Sequence, residues 1–205
     1  QPNGTASFST TPPATINLTT IGKGFNNWFL DGRLSNLAIW NSDQSANITN
    51  IYNYGAPQTS YTVTPKLWYK LDKTSTFTGL NPNWHSALSF DGVSGNKIDV
   101  GTIASLNSVT EFTVSFWSNF DNGQSNDGVI FTNRVDNNNR IVIYRYNTSI
   151  YFHINSSGSN QGNVTAPPIG SWTHIVMVYD GSGSANADKL KVYFNGVEQT
   201  LSYGG

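Results

Sequence analysis

Phe112-Thr113-Val114-Ser115-Phe116-Trp117 decides the fold class: large apolar side chains alternate with small polar ones until the run closes on a tryptophan. Side chains two apart share a face of a β-strand, so Phe112, Val114 and Phe116 point one way while Thr113, Ser115 and Trp117 point the other. The same period, carried by Val, Ile, Tyr and Phe, recurs over residues 140–146, 149–154, 173–179 and 190–194. Turn formers separate these runs. Asn195-Gly196 joins 190–194 to Val197-Glu198, and that pair predicts a type I′ hairpin turn with positive φ at both residues. Only residues 45–52 offer a helix, a short one that Ser42 or Asp43 would cap. Closely spaced strands with this punctuation predict an all-β, two-sheet antiparallel sandwich.

Composition narrows the function classes. Charged residues make up only 11% of the 205-residue chain and the net charge is −1, so neutral Asn, Ser, Thr and Gly must keep the surface wet. Arg33, Arg134, Arg140 and Arg145 are scattered along the chain, which argues against nucleic acid as a partner, since tracking phosphates takes clustered cations. No apolar run approaches the roughly 18 residues of a membrane span, and no basic amphipathic helix is evident, so membrane insertion is not expected. The absence of Cys removes thiolate chemistry and Cys-based zinc sites but leaves the compartment open.

Length allows one large sandwich. Residues 55–65 carry two prolines and no burial pattern, and they read as a connector. The 1–55 piece before it has too few strands to close a sandwich by itself.

Several stretches resemble the successive signatures of laminin-G-like jelly-roll domains in the concanavalin A-like lectin/glucanase superfamily. Trp68-Tyr69-Lys70-Leu71 is similar to the opening strand, Ala87-Leu88-Ser89-Phe90-Asp91-Gly92 and Ile98-Asp99-Val100-Gly101 to the next block, and 112–117 to the central strand. Gly170-Ser171-Trp172-Thr173-His174-Ile175-Val176 and Leu190-Lys191-Val192-Tyr193-Phe194-Asn195-Gly196 resemble the two strands that follow. The glycine-led closing strand and short helix of such domains stand at the beginning instead, as residues 29–41 and Ile51-Tyr52-Asn53-Tyr54-Gly55. The resemblance therefore implies one jelly-roll sandwich over 1–205 in circularly permuted order: closing strands and helix in 1–55, a connector in 56–66, and opening and central strands in 67–205. A cut from a tandem array of such domains gives the same order. Permutation implies that residues 29–41 form a strand beside 112–117 and that the termini meet at a surface loop.

Catalytic chemistry is not expected. Sandwich glycosidases pair carboxyl groups on one strand, whereas the chain has only Glu111 and Glu198, neither with a second carboxylate two or four residues away. His174 reads as a structural hydrogen-bonding residue, and His153 should face away from the core, toward ligand or water; His85 completes the histidines. Relatives of this kind hold calcium in rim loops, so the cofactor implied by resemblance is a structural calcium, with Asp121 and Asp127 as candidate ligands and Asp136 in a second loop. Asp-Asn-Gly stretches are equally ordinary turn chemistry.

Period two places Leu37, Ile39, Phe112, Val114, Phe116, Ile150, Phe152, Val192 and Phe194 in the core. Trp40, Trp117, Tyr144, Tyr146, Tyr151, His153 and Tyr193 fall on the other side. Rings with a polar tip suit sugar or protein recognition. The candidate carbohydrate contacts are thus Trp28, Trp40, Trp117, Tyr144, Tyr146 and Tyr193, with Asn26, Asn27 and Asn137 as orienting groups; packing under the connector is the competing reading of the same rings. The function this supports is a non-catalytic recognition module that binds carbohydrate or a glycoprotein surface, on a secreted, cell-surface or virion protein. The alternatives are a self-associating spacer of a fibre or coat and a degenerate hydrolase.

Overall fold

The computed structural model describes residues 18–24, 28–56, 58–70, 87–92, 97–121, 128–136, 139–156 and 161–204. The alternating runs form two antiparallel sheets. Sheet I has the order β14 (Ser202–Gly204), β10 (Gln161–Thr165), β9 (Ser149–Ser156), β8 (Asn139–Tyr146), β7 (Gly128–Arg134), β1 (Leu18–Ile21), β5 (Ile98–Gly101). Sheet II runs β13 (Val197–Glu198), β12 (Leu190–Phe194), β11 (Thr173–Asp180), β6 (Glu111–Phe120), β2 (Asp31–Trp40), β3 (Leu67–Tyr69), and β4 (Leu88–Asp91) pairs with the other end of β2.

Strand β2 is central to sheet II. Its residues pair with Val114, Ser115 and Trp117 of β6 on one side and with β3 and β4 on the other, as the motif order predicts. The pairing shifts register between Ser35 and Ala38, where Asn36 takes φ 51°. Asn tolerates this left-handed geometry better than most residues, and the bulge puts both Leu34 and Leu37 into the core. All the predicted core residues meet between the sheets, joined by Ile21, Leu30, Phe131, Ile143 and Tyr179. That one core draws side chains from both sides of the 55–65 connector.

The hairpin turn follows expectation, with φ 50° at Asn195 and 80° at Gly196. Residues 45–52 form a 3-10 turn (Ser45–Asn47) running into α1 (Ile48–Tyr52), and the Asp43 carboxylate accepts the Ser45 N–H at 2.6 Å. A second short helix, α2 (Asn186–Lys189), was not expected from sequence; Asp188 stops its N-terminus by accepting the Ala185 N–H at 3.0 Å. The expected meeting of the termini concerns residues outside those described. Among described residues, β1 and β14 lie on opposite sides of sheet I, five strand spacings apart, or roughly 24 Å.

Candidate functional site

The aromatic residues off the core do not form one face. They divide between the outer surfaces of the two sheets, and the two surfaces have different fates.

Outside sheet II the rings are covered. Trp40, 1% exposed, packs with Ala38, Ile48, Ile51, Val176, Val178 and Tyr193 in a second apolar layer beneath α1. Its indole N–H donates to Val63 O at 2.8 Å, and Tyr61 of the connector meets its ring edge-on at 5.0 Å. Tyr61 also packs on Trp68, whose indole donates to Asn36 Oδ1 at 2.6 Å, and Asn36 Nδ2 donates to the Tyr61 hydroxyl at 3.4 Å, so the bulge residue anchors the connector, which straps this surface. Trp117 is buried beside His174, with Tyr52 of α1 against both rings. Trp40, Trp117 and Tyr193 are therefore packing residues, which corrects their assignment as ligand contacts: the competing reading, burial under the connector and its neighbours, is the one the structure favours. Replacing Tyr61 with Ala is expected to cost about 2 kcal/mol, since a partly buried aromatic anchor is lost. A lower urea midpoint measures it, and an unchanged midpoint would remove the strap from the stability argument.

His174 has the structural role expected. It is 1% exposed, its Nε2 lies 2.8 Å from Ser115 Oγ, and burial pushes its pKa down to about 3.

Outside sheet I a row of rings is half-buried, with Trp28, Tyr144 and Tyr151 each keeping part of its surface exposed. Strand register sets Tyr144 opposite Tyr151, and Tyr151 opposite Asn163. The two tyrosine rings are stacked, 5.0 Å apart and 9° from parallel. Trp28 lies 6.0 Å from Tyr144, and the Tyr144 hydroxyl is 3.2 Å from His153 Nε2. His153 is 7% exposed, and burial with the nearby Arg140 cation lowers its pKa to about 4. A hydrogen bond with the Gln161 side chain draws the His153 pKa part of the way back up, while Thr132 Oγ1 is buried without a hydrogen bond. The register puts Val142 between His153 and Thr132. This surface offers stacked rings and neutral amides at Gln161 and Asn163. Tyr151, Gln161 and Asn163 had no place among the candidate contacts; the signal for the last two was their alternation in the run 161–165.

The remaining candidates are less informative. Tyr146 is exposed at the end of β8, while Asn26, Asn27, Asn137 and Asp127 lie outside the described residues. Asp121 pairs with Arg33 at 3.3 Å, and its charge, after burial, helps raise the pKa of Asp31. Among the described residues no group of three or more His, Cys, Asp or Glu is placed to hold a metal ion. Glu111 accepts the Asp43 N–H at 3.3 Å and is half-buried, while Glu198 lies exposed three strands away on β13.

Two facing antiparallel sheets with a helix laid across one outer surface define a lectin-like jelly-roll sandwich. A family model described as the concanavalin A-like lectin/glucanases superfamily matches residues 90–202, more than half of the chain, and the protein belongs to that superfamily. No curated protein and no solved structure matches the chain. No helix among the described residues is long and apolar enough to cross a membrane.

Proposed function

We propose that this domain is a non-catalytic carbohydrate-recognition module that binds through the outer surface of sheet I. The observation that carries the proposal is the stacked, half-exposed Tyr144–Tyr151 pair flanked by Trp28 and Asn163, with His153 buried beneath it. Rings of this kind present rigid apolar area at low entropic cost, and the amides at their edges match the hydroxyls of a sugar. The superfamily description names lectins beside glucanases; with Glu111 committed to Asp43 and Glu198 remote from it, binding is the better reading. The natural setting is outside the cell or on a particle surface. The order of the chain is read as a circular permutation, supported by the position of β2 between β6 and β3.

A glycan array, run with and without a calcium chelator, selects the ligand and tests the cofactor at once. With that glycan, Tyr144→Ala and Tyr151→Ala should each weaken binding about tenfold, a loss near 1.4 kcal/mol, while the fold survives. Affinity should change little with salt, because neutral contacts supply most of it. Folded variants that bind like the parent, or binding abolished by salt alone, would refute the proposal.

A further inference from the structure

The chain leaves α1 through a left-handed turn. Asn53, Tyr54 and Gly55 have φ of 50°, 52° and 87°, and the Ala56 N–H closes the turn on Asn53 O at 3.0 Å. Asn and Gly accept this geometry readily, but a bulky aromatic residue there is an outlier, because its Cβ crowds the backbone carbonyl. Tyr54 also gains nothing from packing: its side chain is 87% exposed, the most of any large hydrophobic residue described. One position thus combines backbone strain, which clusters at ligand sites, with an unpacked ring.

Beside it lies a cleft of about 310 Å³ between α1 and the connector. Asn50, Asn53, Gln58, Ser60 and Thr62 line it together with Tyr54, and among the described residues no Asp, Glu, Lys or Arg does. Gln58 fixes the connector to the helix by donating its side-chain amide to Asn50 O and to Ile51 O. Tyr61 forms part of the wall and is itself held against Trp40 and Trp68. The connector wall is therefore held before any ligand arrives, so the Tyr54 ring carries most of the remaining ordering cost.

We infer that this cleft is a second binding site, for a neutral saccharide whose ring stacks on Tyr54 while its hydroxyls bond to the amides and hydroxyls around it. An uncharged lining favours a polyhydroxylated neutral ligand over an ionic one, and the size is at the lower end of small-molecule pockets, which suits one or two sugar rings. The site is outside sheet II, on the opposite side of the sandwich from the Tyr144–Tyr151 surface, and it stands whether or not that surface binds sugar.

Saturation-transfer NMR with the methyl glycosides of glucose, galactose, mannose, xylose and N-acetylglucosamine tests it on the intact chain. At least one should receive saturation from the parent protein and from Tyr144→Ala. Tyr54→Ala should weaken that ligand at least tenfold, and Tyr54→Phe should retain it because the ring remains. Tyr54→Gly should lose the ligand while melting about 3 °C higher, because the strain is relieved. Absence of saturation transfer from all five glycosides overturns the inference. So does transfer that Tyr144→Ala removes and Tyr54→Ala leaves intact, or a Tyr54 effect confined to self-association in sedimentation.

Discussion

A chain lacking residues 1–55 is expected to be insoluble and without cooperative unfolding. The truncation removes β2 from between β6 and its two neighbours, and β1 from between β7 and β5, so both sheets are split in their interiors. It also takes Ile21, Leu30, Leu34, Leu37 and Ile39 from the main core and Trp40, Ile48 and Ile51 from the second layer, all buried. At about 1.5–3 kcal/mol for each such side chain, the loss is on the order of 12–24 kcal/mol, which matches or exceeds the roughly 5–15 kcal/mol that holds a typical domain together. The strands left behind would present unpaired apolar edges, which invite aggregation. Far-UV circular dichroism and a denaturant titration of the 56–205 fragment measure the outcome, and adding the 1–55 fragment in trans should restore soluble protein. A 56–205 fragment that folds cooperatively on its own would contradict the shared sandwich.

The strands were legible because alternation is a local signal. Runs such as 112–117 and 190–194 carry both their extent and their inward face in the order of their residues, and Asn195-Gly196 carries the turn. Sorting the remaining rings needed the topology, because period two tells inward from outward but does not say which of two outer surfaces a residue joins. Trp117 and Tyr144 look equivalent in the sequence, yet β6 and β8 belong to different sheets. A clue to the covered surface was present in Ile175-Val176-Met177-Val178-Tyr179, whose unbroken apolar run is the mark of a strand buried on both faces. The Asn36 bulge was not legible in the alternation, because it resets the period between Leu34 and Leu37 without any Gly or Pro to announce it. The strain at Tyr54 is a matter of backbone geometry alone; the residue is an ordinary tyrosine in the sequence.

Mild acid should destabilise this protein through two buried imidazoles. His174 packs against Trp117 and Tyr52, which also touch each other, with Ser115 on its Nε2, and burial takes its pKa from 6.5 to about 3. His153 lies under Tyr144 with Gln161 alongside, and burial together with the Arg140 cation takes it from 6.5 to about 4. Both folded-state values lie below the unfolded one, so the unfolded chain takes up these protons first. Stability is then full above about pH 6.5, falls as pH drops through the window from 6.5 to 4 and 3, and levels off below the lower value. Each unit of separation is worth about 1.4 kcal/mol per group, so the two histidines together should remove on the order of 5 kcal/mol between pH 7 and pH 4. That is a large share of a typical domain's stability. Urea midpoints taken across this range at constant ionic strength should fall steadily, and His174→Gln should remove roughly half of the slope while lowering the plateau at neutral pH. The imidazole signals of both residues should stay in their neutral form at pH 5.5, where an exposed histidine is mostly protonated. Midpoints that stay flat from pH 7 to pH 4, or a His174 signal that titrates near 6.5, would show that the imidazoles reach water and that the layer beneath α1 is open.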